Sequence, residues 1–188
     1  MVGTAGDERL TGPITKSIRN RFPWLLANLG TLLMAGVIVS FFDGTIESLA
    51  IIATFIPVVS GQAGIAGTQT VTLMVRAIAT GDVYANQSGS LLLREGVLAL
   101  GQAIALALIL GGVIWLWQSS LVLGLIVSGA LLGNLITAAV AGVAVPVGMR
   151  ALKVDPATSY AVILTTLTDS FGILLYLSLA TIFRSRLT

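Results

Sequence analysis

An acid stands alone near the end of this chain, in the stretch TTLTDSFGILLYLSLATIF over residues 165–183. Asp169 interrupts an otherwise apolar, membrane-length run with no basic residue nearby. An ionised carboxylate in hydrocarbon is among the costliest side-chain placements, and such acids mark ion paths or proton relays. At helical spacing Ala161, Thr165, Asp169 and Gly172 share one face, with Thr168 and Tyr176 beside them. A small and polar stripe on an apolar helix should face protein or water. At 1.5 Å per residue Asp169 lies roughly 15–20 Å from the nearer end of its span, too deep for so short a side chain to reach the interface. Two readings follow. Asp169 is a structural residue bonded to Thr, Asn or Gln on a neighbouring helix, or it lines a hydrated cation path. No Lys, Arg or His lies within the apolar run to pair with it, which favours a cation as its partner.

Other polar groups are sparse. Asn134 and Thr137 share one face of a preceding span, as helix packing or as pore lining. Asp43 and Glu47 lie near the end of the first span, where solvation is the simpler reading and an ion vestibule the other. Arg94 and Glu95 read as an interfacial pair of structural value. Cysteine and histidine are absent, which removes disulfides, thiolate chemistry and histidine-based metal sites from consideration. No histidine or cysteine is present to favour zinc or copper, and selectivity among Mg²⁺, Mn²⁺, Co²⁺ and Ca²⁺ stays open. No nucleophile, base or cofactor motif suggests an enzyme, and nothing suggests a nucleic-acid partner.

The elements that position these residues are membrane spans. The chain has 188 residues, 56% hydrophobic and 10% charged, with a mean hydropathy of +1.00. Soluble domains carry about 25% charged residues, so this composition describes an all-α integral membrane protein in contact with lipid. Trp24 to Phe42 forms one span, with Pro23 suited to a helix start. Ser48 to Val75 forms a second; Pro57 and SGQAGIAGTQT predict a tilted or locally broken helix there. The uncharged run Gly96 to Met149 is long enough for two spans, turning at WLWQSS over 115–120. Ala157 to Phe183 is the fifth. Residues 1–22 hold no apolar leader; they read as a tail followed by a basic amphipathic helix (Ile14, Ile18, Phe22) on the membrane surface, with the pore domain over 23–188.

Arg9, Lys16, Arg19, Arg21, Arg76, Arg94, Arg150 and Lys153 fall on the amino-terminal side of these spans, and only Arg184 and Arg186 on the other. That bias predicts a cytoplasmic amino terminus and an external carboxy terminus in a multi-pass protein of the cell (plasma or inner) membrane. Residues 77–90 and 148–156 then form inner loops and FDGTIE, over 42–47, a short outer turn.

RFPWLLANL (21–29), DGTIESLA (43–50), FIPVVSGQAGIAGTQT (55–70), LLREG (92–96), the NL and DPA segments between 134 and 157, and TTLTD (165–169) together resemble the membrane domain of the MgtE-type magnesium channels. The similarity runs from about Arg19 to Phe183 with the spans in the same order. It implies a homodimer with a pore on the two-fold axis, where Asp169 of each subunit faces a hydrated Mg²⁺ that is both transported ion and pore ligand. Ala161 and Thr165 match the rest of the family's pore-site stripe, although Ala161 lacks the polar side chain some relatives carry. Ile65 stands where an asparagine is common. Family members also carry a cytosolic N domain and paired CBS domains, for which the residues before Trp24 leave no room. The chain is therefore expected to be an excised membrane domain or a naturally short member, without that regulatory gate. The alternatives to a passive channel are an ion-coupled secondary transporter of divalent cations and a non-transporting structural subunit.

Overall fold

A computed structural model describes residues 13–81, 88–152 and 156–187, the side chains of residue 88 and of 156–159 excepted. Most of the expected tail, much of the 77–90 loop and the DPA segment lie at least partly outside these residues. The described chain is helical throughout: α1 (Ile14–Ser40), α2 (Asp43–Ser48), α3 (Ile51–Thr80), α4 (Ser88–Gln118), α5 (Leu121–Ala151), α6 (Pro156–Ile182) and a 3₁₀ turn over Arg184–Arg186. Five of these helices are long and apolar enough to cross a membrane, namely α1, α3, α4, α5 and α6.

Three boundaries differ from the sequence expectation. The basic segment is no separate surface helix, because α1 runs on through Pro23. α3 is likewise unbroken, with Pro57 inside it. Proline removes one backbone donor, but it forbids continuation only where the freed carbonyl finds no other relief, and apolar helices tolerate it. FDGTIE, expected as a turn, is wound into α2, whose first turn carries Asp43; an acid there is favoured by the helix dipole. The α4–α5 turn falls where expected. Ser119 takes a left-handed φ of 52°, and Ser120 caps α5 by accepting from the Leu123 amide at 3.2 Å.

The core forms around α5. Half of its apolar window is buried, against 6% for α1, and it packs against α3, α4 and α6. Lipid is as apolar as leucine, so helices in a membrane associate by close packing rather than by expelling water. The residues α5 buries suit that: Gly124, Ala130, Ala138, Ala139, Ala141 and Gly142. At Gly124 the fit is backbone to backbone, since an added Cβ would stand 2.9 Å from the Gly111 carbonyl of α4. On the far side α6 buries Tyr160, Leu164, Thr168, Gly172, Tyr176 and Ala180. That strict four-residue interval sets its rotation. Two polar ties fix its far end. Tyr176 donates to the Ile52 carbonyl at 2.9 Å, and the Thr45 and Thr181 hydroxyls pair at 3.0 Å.

Candidate functional site

The rotation of α6 determines where the acid goes. Asp169 follows Thr168 by one residue, about 100° around the helix, so it sits at the edge of the buried stripe and is half-buried. Among the described residues it has no hydrogen-bond or ion-pair partner. The structural reading of Asp169 required a Thr, Asn or Gln from a neighbouring helix, and none of the described residues supplies one.

One turn earlier, Thr165 is also half-buried. Its hydroxyl donates to the Ala161 carbonyl at 2.8 Å, with a longer contact to that of Val162 at 3.3 Å. With its donor turned back onto the helix, the Thr165 oxygen keeps its acceptor capacity for water. The Ala161 carbonyl is engaged by that hydroxyl in addition to its helical amide. Ala161, Thr165 and Asp169 therefore share one partly open face of α6.

The other residues of the expected stripe turn inward. Gly172 is buried against α5. A Cβ at this position would collide with the Asn134 side-chain nitrogen, so the carboxamide fills the space glycine leaves. Asn134 itself is fully buried and donates to the Val59 carbonyl of α3 at 3.0 Å, while its Oδ1 has no partner among the described residues. One side chain thus joins α3, α5 and α6, which is the geometry of helix packing. Thr168, also fully buried, donates to the Leu164 carbonyl at 3.1 Å. Thr137 donates to Gly133 at 3.0 Å and lines a groove of about 540 Å³ between α5 and α6, with Ile163 and Leu167 opposite. Glu47 is exposed on α2, next to exposed Ser48.

The glycine-rich stretch divides similarly. Gly61 and Gly64 have open space where a side chain would go, whereas at Gly67 a Cβ would stand 2.9 Å from Leu164 of α6. Of these three glycines, only Gly67 is required by the α3–α6 contact within one chain. Reading the sequence missed the burial of Glu95, which is closed in by α3 and α5. The visible signal was a polar pair, Gln69 and Thr70, on the span that precedes it.

Across residues 56–179 the chain matches the MgtE family, described as divalent cation transporters. It is 31% identical to the magnesium transporter MgtE of Bacillus subtilis over 87% of this chain and 36% of the relative. Against the magnesium transporter MgtE of Enterococcus faecalis identity is also 31%, over 97% of this chain and 40% of the relative. The Thermus thermophilus magnesium transporter MgtE is 31% identical over 85% and 35% respectively. The chain thus spans well under half the length of these relatives. Five candidate spans and a family match over most of the length agree on one assignment: this chain is a multi-pass membrane protein that belongs to the MgtE family of divalent cation transporters.

Proposed function

We propose that the chain forms a passive Mg²⁺ channel, as a homodimer whose pore runs along the two-fold axis between the two α6 helices. The observation that carries this reading is Asp169, a mid-helix carboxylate, half-buried and without a partner among the described residues. A lone acid at that depth is tolerable when a cation supplies the missing counter-charge. Two such acids facing each other across an axis repel unless a cation lies between them. A C₂ interface brings the same surface of both subunits together, so the half-open Ala161–Thr165–Asp169 face of one α6 meets that of the other.

The mechanism is a hydrated one. Mg²⁺ sheds its waters reluctantly, so Asp169 and its symmetry mate act on the ion through its water shell. Thr165 accepts hydrogen bonds from that shell through its free lone pairs, and the Ala161 carbonyl is reached when the Thr165 hydroxyl turns away. Membrane potential drives the ion inward, with the amino terminus cytoplasmic as the placement of the basic residues indicates. In proteoliposomes carrying a Mg²⁺ indicator, uptake should scale with an imposed inside-negative potential and be indifferent to Na⁺ and H⁺ gradients. Uptake that requires a counter-ion gradient would replace the channel with a coupled transporter.

A further inference from the structure

α3 and α4 lean on α5 from two sides and make little backbone contact with each other. The gap between them is a cavity of about 130 Å³, lined by Gln69 and Thr70 of α3, Arg94, Glu95 and Gln102 of α4, and apolar side chains of α5. Among the lining residues Glu95 is about nine-tenths buried. Its Oε2 accepts from the Thr70 hydroxyl at 3.3 Å. Thr70 is seated firmly, because its Cβ lies where a side chain on Gly142 of α5 would otherwise go. The other oxygen, Oε1, accepts from Arg94 at 3.1 Å, and the Arg94 and Glu95 side chains are 68% and 11% exposed. Consecutive helical residues do not face each other, so the arginine must curl back from the surface to reach its neighbour. It is a loosely held counter-charge over a firmly held acid.

We infer that this cavity is a second cation site, separate from Asp169, in which a hard monovalent cation of the Na⁺ class binds Glu95 by displacing the Arg94 guanidinium. The polar lining offers a hard carboxylate and the Thr70 hydroxyl, with the Gln69 and Gln102 side chains also lining the cavity. A carboxylate has about four acceptor positions, of which two are in use. Mg²⁺ is the poorer fit, since it demands near-octahedral geometry and gives up its waters reluctantly. The charge argues the same way. One carboxylate neutralises one positive charge, so a monovalent ion can take the guanidinium's place without leaving an excess. The bound cation need not move with Mg²⁺.

The test is equilibrium binding of radiolabelled Na⁺ to the full chain in nanodiscs, in Mg²⁺-free buffer. Wild type should bind saturably, and Glu95→Gln should weaken binding by at least about tenfold. Arg94→Gln should strengthen it several-fold, because a competitor has been removed. A purely structural ion pair predicts no such gain. Thr70→Val keeps the carboxylate and is expected to weaken binding without unfolding the protein, which covers the case of a Glu95 variant that fails to fold. Asp169→Asn should leave Na⁺ binding in place, and Mg²⁺ uptake by the same preparations reports separately on the channel. No saturable binding in wild type and Arg94→Gln, weaker binding in Arg94→Gln, or loss of binding in Asp169→Asn would each overturn the assignment.

Discussion

Among the described residues two carboxylates lie within the membrane-spanning helices, and the protein treats them in opposite ways. Glu95 is enclosed between α3, α4 and α5, with a hydroxyl on one oxygen and a guanidinium on the other. Asp169 sits at the edge of α6 with neither. Burying a charge is expensive unless it is paired and hydrogen-bonded. At Glu95 the chain meets that requirement from its own residues. At Asp169 none of the described residues meets it, and in the proposed channel a cation does.

Removing each acid in turn should separate the two most clearly. Asp169→Ala takes away no internal bond, so thermal stability in detergent should stay within about 1 kcal/mol of wild type, while Mg²⁺ uptake falls by at least an order of magnitude. Glu95→Ala strands Thr70 and frees Arg94, and should destabilise by about 1.5–3 kcal/mol, the range for hydrogen bonds to charged groups. Equal melting losses in both variants would erase the distinction.

The Asn134–Gly172 contact refines the contrast, because it sets the rotation that leaves Asp169 at the edge of the buried stripe. Gly172→Ala should cost about 1–3 kcal/mol through overpacking. Asn134→Ala alone should cost about 1 kcal/mol for the lost bond to Val59. Combined, the two should be less harmful than their sum, since the smaller residue at 134 makes room for the added methyl. Additive losses in melting temperature would show that the two side chains do not compete for one space.

A smaller effect concerns assembly. A cysteine in place of Thr165, on the half-open face with Asp169, should crosslink across the proposed dimer. One in place of Gly172, filled in by Asn134 of its own chain, should not. Efficient crosslinking at 172 and none at 165 would contradict an axis along the half-open face. Orientation is tested by cysteines at positions 3 and 187. Impermeant reagents should reach the first only from inside and the second only from outside.

The five spans were legible because membrane helices advertise themselves by length and lack of charge, and most polar interruptions fall at or near a turn. Asp169 and Thr165 were legible because a polar stripe at helical spacing is conspicuous on an apolar helix. The inward turn of Gly172 and Thr168 was not. Spacing places 165, 168, 169 and 172 within one broad sector, and which edge of that sector is covered depends on the side chain opposite. Here that side chain is Asn134, tethered to α3 through Val59. Glu95 escaped notice for a related reason. Beside Arg94 it reads as a surface pair, and only the way α3 and α4 stand apart on α5 makes it a buried one.

Asparagine in place of Asp169 keeps shape and hydrogen-bonding capacity and removes only the charge, so it isolates the ion-binding role. Mg²⁺ uptake into liposomes should be compared for wild type and Asp169→Asn at matched protein density, with both shown to be folded and in the same oligomeric state. A structural aspartate predicts that asparagine restores transport. An ion site at Asp169 predicts a folded variant that has lost most of its Mg²⁺ flux. Wild-type flux through Asp169→Asn would contradict the ion site and leave Asp169 a packing residue.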